Sequence, residues 1–157
     1  MIKIYTDGAA TMKNINGEYI RCSGGAAMAI VNGQDEIIYS GSKHFDNTTN
    51  NFCELYAILM ALSYCSINYS TEKIEIYSDS AYCVNMLKEN GWVYSWEKNN
   101  WTRGKKHEKI ENVEIIKDIF NFIQKLDVSF IKVKGHSNDK INDYVDKLAV
   151  AAKERGE

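Results

Sequence analysis

Apolar and polar residues alternate in two stretches that nearly repeat each other, Ile2-Lys3-Ile4-Tyr5-Thr6-Asp7 and Ile74-Glu75-Ile76-Tyr77-Ser78-Asp79. A period of two in residues that favour extended backbone predicts a strand in each. Lys3, Tyr5 and Asp7 then share one face, as do Glu75, Tyr77 and Asp79. Residues 24 to 31 and 35 to 43 predict two further strands, with Asn32-Gly33 as a tight hairpin turn between them. Thr48-Thr49-Asn50-Asn51 suits a helix cap. The helix is predicted from about Phe52 to Ile67, and its almost wholly apolar surface implies burial against the sheet. A second helix is predicted from Ser80 to Lys88. The stretch from 89 to 109 is aromatic, basic and interrupted by glycine, and predicts no regular element. Val113, Ile116, Ile119, Phe120, Ile123 and Leu126 recur at helical spacing within 110 to 126. Val128 to Lys134 predicts a fifth strand, ended by Gly135. A last helix from Lys140 to Lys153 carries Ile141, Val145, Leu148 and Ala152 on one side.

This order predicts an α/β fold: a five-stranded mixed sheet flanked by helices. The first three strands are close enough in sequence to be antiparallel neighbours. The later ones are separated by helices and should be parallel crossovers. The 157 residues suit one domain, 1–157, with no separate binding module. No apolar stretch reaches the roughly 20 residues of a membrane span, and the N-terminus lacks the basic start and apolar core of a secretion signal. A cytoplasmic monomer with no membrane partner is expected. The four cysteines form no CxxC pair and no zinc spacing, so they are expected to be reduced.

Charge changes the picture. The total is −2, which by itself argues against a polyanionic partner. Yet Lys98, Arg103, Lys105, Lys106 and Lys109 stand with a single acid, Glu108, a local charge of +4 between 98 and 109. A basic loop on an acidic body implies two surfaces with different tasks.

The acids supply candidate chemistry. Asp7 and Asp79 both end strands, where open α/β sheets bind ligands. On neighbouring strands their carboxylates would repel, and a hard divalent ion such as Mg²⁺ would relieve this. Glu54 either serves the dipole in the first helical turn or joins them, since Phe52, Cys53, Leu55 and Tyr56 surround it with apolar groups. Asp146 lies opposite the apolar stripe of the last helix, close to Asp139, Asn142 and Asp143. It is either part of a solvated face or a fourth member of a two-metal phosphoryl-transfer site. His136, just past the fifth strand, is either an exposed loop residue or a proton carrier near a bound phosphate.

Five motifs in this order resemble the type 1 ribonucleases H: Tyr5-Thr6-Asp7-Gly8; Thr48-Thr49-Asn50-Asn51 followed by Glu54-Leu55; Tyr77-Ser78-Asp79-Ser80; Val133-Lys134-Gly135-His136; and Asn142 with Asp146, Leu148 and Ala149. The resemblance spans essentially the whole chain. It implies an endonuclease that cuts the RNA strand of an RNA–DNA hybrid with two Mg²⁺ ions (Mn²⁺ substituting), leaving a 5′-phosphate and a 3′-hydroxyl. Asp7 would bridge both ions, Asp146 would help hold the one that activates water, and Glu54 and Asp79 the one at the leaving oxygen. His136 would assist proton transfer or product release. The backbone at Gly8 and the side chain of Asn50 would read the 2′-hydroxyl, which distinguishes RNA from DNA. Thr49 and Asn51 would hold a DNA-strand phosphate, and Ser80 and Asn142 are further substrate-binding candidates. The stretch from Trp92 to Lys106 resembles the basic handle of some members. Lys98, Lys105 and Lys106 would neutralise phosphates, and Trp92 and Trp96 would meet the DNA strand. For Trp101, core packing and substrate contact stay open.

The chain departs from that pattern at three places. Ala81 stands where many members carry a glutamine that touches the minor groove. The stretch Ala10 to Ser23, read as a loop, lacks the glycine- and proline-rich turn common there, and the chain contains no proline at all. Glu97 and Glu108 interrupt the basic stretch. A DNA nuclease or resolvase of the same fold, and a non-catalytic hybrid-binding module, are the alternatives. The first is disfavoured by the Thr-Thr-Asn-Asn and Lys-Gly-His signatures, the second by the presence of Asp7, Glu54 and Asp79 together.

Overall fold

A computed structural model describes residues 1–134 and 139–155. Five strands and five helices follow in the order β1 (Ile2–Ile15), β2 (Glu18–Val31), β3 (Ile37–Thr48), α1 (Asn50–Asn68), β4 (Lys73–Ser78), α2 (Ala81–Leu87), α3 (Trp92–Lys98), α4 (Val113–Lys125), β5 (Asp127–Lys132) and α5 (Lys140–Glu154). The sheet order is β3-β2-β1-β4-β5. β1, β2 and β3 pair antiparallel, whereas β1–β4 and β4–β5 are parallel. This is the mixed sheet that the spacing predicts.

Alternation along the strands divides the core. Ile4, Met28, Ile30, Ile74 and Ile76 face a large cluster with Leu55, Ile58 and Leu62 of α1 and Ile116 and Ile119 of α4. On the other face Tyr5, Ala29 and Val31 pack with Val145 of α5, beside Tyr77 and Ile141. Each fully buried aliphatic side chain contributes about 2 kcal/mol, so moving β1 by one residue would exchange the two faces and lose both clusters.

Three local expectations are corrected. The segment Ala10 to Ser23 is not a loop but the outer half of a long hairpin in which Ile15 pairs with Glu18. Its two-residue turn is Asn16-Gly17, with φ of 53° and 85°. Positive φ at both central residues is what a primed hairpin turn requires. Asn32-Gly33, by contrast, opens a wider loop: Asn32 Oδ1 accepts from the backbone N–H of Gln34 and Glu36 at 2.9 and 3.0 Å, and the left-handed residue is Asp35. Finally, residues 89–109 are not wholly irregular, because they contain α3. This helix is seven residues long and buries only Val93, too little for a helical stripe to show in the sequence.

Candidate active site

The last parallel pair between β1 and β4 is Thr6 with Ser78. Asp7 and Asp79 are the next residues on the two strand paths, so their carboxylates stand side by side where β4 ends; β1 does not end there but runs on beside β2 to Ile15, so Asp7 lies within its strand and not at the strand end that the pattern predicts. Asp7 is 3% exposed and Asp79 half-buried. The third acid comes from α1. Thr49 caps that helix by accepting from the Phe52 N–H at 3.2 Å, and the helix begins at Asn50, two residues earlier than expected. Glu54 therefore lies beyond the first turn, where the dipole argument for an acid fades. It is 5% exposed. Gly8 permits this approach, because a Cβ there would collide with the backbone of Cys53 and Glu54.

One carboxylate oxygen from each of Asp7, Glu54 and Asp79 lies within 4.8 Å of the others. Burial, then the charge of Asp79, pushes the Asp7 carboxyl up to about 7. Burial, then the charge of Asp7, raises Glu54 well above the ordinary range. Asp7 Oδ1 accepts from the Gly8 N–H at 2.8 Å. Glu54 Oε2 is buried without a partner among the described residues. Buried acceptors are normally satisfied, and three converging carboxylates with one oxygen unspent fit a hard divalent cation.

Asp146 is exposed on α5 and stands outside that trio. Its carboxyl is nonetheless close enough to accept a hydrogen bond from Asp7 and raise it, so two strands, β1 and β4, and two helices, α1 and α5, converge on one site. Asn142, one helical turn earlier, is 4% exposed and its Oδ1 is also unpartnered among the described residues. His136 lies outside the described residues.

Of the other candidates, Asn50 and Asn51 are exposed in the first turn of α1. Ser80 caps α2, accepting from the Cys83 N–H at 3.1 Å. Ala81 is exposed at the start of that helix. Trp92 is 44% exposed and continues an aromatic row, with ring centroids 6.4 Å from Tyr82 and 6.1 Å from Trp96. Tyr82 was not singled out in the sequence. Its position two residues after Ser80 was the available signal. Lys98, Lys105 and Lys106 are exposed. Lys98 and Lys105 line a cleft with Tyr94, Ser95 and Gly104, and at 100° per residue Lys98 points away from Trp96. The structure thus spreads the basic and aromatic candidates over two sides of α3. Trp101 resolves toward packing: its ring meets Phe120 edge-on at 5.5 Å.

The fold and its carboxylate cluster define a class of metal-suited α/β enzymes, and comparison with known proteins narrows it. The family model for RNase H matches residues 1–154. A ribonuclease H from Caldicellulosiruptor saccharolyticus is 36% identical over 149 residues, covering 94% of this chain and 92% of its own. One from Clostridium botulinum is 39% identical, covering 93% and 91%. Among solved structures, LC11-RNase H1 in complex with an RNA/DNA hybrid superposes with a TM-score of 0.68 at 19% identity, covering 98% of this chain and 96% of that one. The ribonuclease H domain of PFV gives 0.77 at 20% identity, covering 97% and 93%. The chain belongs to the ribonuclease H family.

Proposed function

We propose that this chain, as a single catalytic domain of residues 1–157, hydrolyses the RNA strand of RNA–DNA hybrids, leaving a 5′-phosphate and a 3′-hydroxyl. The observation that carries the reading is the Asp7–Glu54–Asp79 cluster, with its ligand atoms within 4.8 Å of one another, in a chain of this family. The names of the relatives and the hybrid bound to LC11-RNase H1 support the same substrate.

Asp7, Glu54 and Asp79, with Asp146, would hold two Mg²⁺ ions. Bound there, the ions supply charge neutralisation at the phosphate and an activated water. The protein's own groups do the rest. Asp7 is fixed by the Gly8 N–H, so its second oxygen is free to face its neighbours. Thr49 holds the first turn of α1 and so fixes where Asn50, Asn51 and Glu54 stand. Asn50 and the Gly8 backbone are assigned to the 2′-hydroxyl, Thr49 and Asn51 to a DNA phosphate, and Ser80 and Asn142 to the sugar-phosphate near the cut. Trp92 and Trp96 offer faces for sugars. Lys98, Lys105 and Lys106 offer charge to phosphates beyond them. His136 is assigned to proton transfer as the product leaves.

The test is cleavage of an end-labelled RNA–DNA hybrid in Mg²⁺ beside matched RNA–RNA and DNA–DNA duplexes. Cutting confined to the RNA of the hybrid, and abolished by chelator, is expected. Cleavage of duplex DNA at an equal rate would replace this reading with a DNA nuclease. Tight hybrid binding without cleavage in Mg²⁺ or Mn²⁺ would replace it with a binding module.

A further inference from the structure

The basic loop after α3 is attached to the body at two places. Every residue from Arg103 to Lys109 is exposed, whereas Ile110 at its exit is buried and Trp101 at its entrance is half-buried. Within itself the loop is well tied. Thr102 Oγ1 donates to Asn99 O at 2.6 Å, and Asn99 Nδ2 donates to the carbonyls of Thr102 and Gly104 at 3.2 and 2.9 Å. Arg103 and Glu108 exchange backbone hydrogen bonds at 2.8 and 2.9 Å and pair through their side chains at 3.2 Å. Such a unit moves as one piece, so its direction is set where it is attached.

Trp101 bears the marks of that attachment. Its φ is 60°, directly after Asn100 at 61°. Asparagine adopts the left-handed region readily; for a bulky residue it is an outlier. It persists only where surrounding contacts over-determine it. Those contacts are present: the Trp101 N–H donates to Trp96 O at 2.7 Å, the ring meets Phe120 of α4, and Lys117 Nζ lies 5.9 Å from the ring centroid.

We propose that Trp101 is a positioning residue for substrate: docked on Phe120, it aims the loop so that Lys105 and Lys106 meet phosphates of the hybrid. The inference rests on the loop being part of the substrate surface, as proposed above. Trp101 itself touches no substrate. Its loss acts through the two lysines and affects binding, leaving turnover nearly unchanged.

The experiment is a cycle of W101A against the double variant K105A/K106A, reading hybrid cleavage across salt concentrations. W101A is expected to raise KM about ten-fold with kcat within about two-fold, and to flatten the dependence of affinity on salt. W101F, which keeps a ring against Phe120, restores most of both. In the K105A/K106A background W101A adds little, because the groups it positions are gone. An equal KM increase from W101A in both backgrounds would show a role not exerted through the lysines and overturn the proposal. If K105A/K106A alone leaves KM and salt slope unchanged, the loop is not substrate surface and the underlying reading fails instead. Should W101A not fold, judged by its thermal melt, Trp101→Leu carries the same comparison.

Discussion

Gly8 and Glu54 meet backbone to backbone: a Cβ on Gly8 would collide with the Glu54 nitrogen and stand 2.9 Å from the Cβ of Cys53. Helix α1 reaches β1 beside Asp7 only because residue 8 has no side chain. Gly8→Ala should push α1 outward and carry Glu54 away from Asp7. Over-packing of this kind costs about 1–3 kcal/mol, which urea melts would register. Activity should fall further, about 100-fold, since a displacement near 1 Å at a reacting centre has that scale. A Gly8→Ala protein with normal stability and normal cleavage would show that the close approach does not set the site.

The carboxylate cluster trades stability for function. Asp7 titrates near 7 in the folded chain against 3.8 for the ordinary carboxyl. Below about 3.8 both states hold the proton and Asp7 contributes nothing. Between about 3.8 and 7 only the folded state holds it, so stability falls as pH rises, and above 7 the full cost remains. Asp7→Asn should therefore be inactive yet more stable than the natural chain in chelator at pH 7.5, and its stability should depend less on pH across that window. Urea melts in EDTA from pH 4 to 8 test this. Added Mg²⁺ or Mn²⁺ should raise the Tm of the natural chain and leave that of Asp7→Asn nearly unchanged. Equal stabilisation of both would place metal binding elsewhere.

Much of this was legible in the sequence, for identifiable reasons. The two repeated hexapeptides alternate strictly and end in aspartate, so their pairing and the meeting of Asp7 with Asp79 follow from the pleat. Glu54 was visible as a lone acid among apolar neighbours. Its helical turn was misjudged because Asn50 and Asn51 look like caps, while Thr49 performs that role. The tight hairpin turn escaped because two Asn-Gly pairs occur, both between strands that pair antiparallel, and local preference could not say which would make the two-residue turn. Asn16-Gly17 makes it, whereas the Asn32 side chain widens its own loop by binding backbone N–H groups. Helix α3 was hidden by its brevity. The packing of Trp101 depends on Phe120, a contact between distant segments that no local pattern encodes.

Asp146 stands outside the trio yet raises Asp7. Asp146 raises Asp7 by accepting a hydrogen bond from its protonated carboxyl; Asp146→Ala removes that acceptor, so the Asp7 titration followed by carbon NMR in metal-free protein should move down in pH. Hybrid cleavage should drop steeply, because one of the proposed metal ligands is lost. The fold should remain intact, since Asp146 is exposed. An Asp7 titration that stays in place would mean that the two carboxylates do not communicate, and Asp146 would return to being part of a solvated face.

His44 ties the edge strand β3 to the end of α5. Its side chain is 3% exposed, with Nδ1 2.9 Å from the carbonyl oxygen of Ala152 and Nε2 2.9 Å from Asp46 Oδ1. Both neighbours are acceptors, and a neutral imidazole has one N–H to give; only the imidazolium satisfies both. The Asp46 carboxylate, then the Ala152 carbonyl, raise the histidine above its ordinary 6.5, and burial opposes them. The sign follows from linkage: the stabilisation is fully present below about 6.5 and is lost as pH rises through the raised folded value. Opposite His44 across the sheet stands Gly25, where a Cβ would strike the backbone of α5 at Ala149, so the helix is seated tightly there and has little freedom to compensate. His44→Gln should thus be less stable than the natural chain at pH 6, with the gap narrowing toward pH 8.5. Urea melts of the two proteins across that range, with the ring protons of His44 followed by NMR, give the answer. A gap that stays constant with pH would mean that His44 is held neutral and contributes by packing alone.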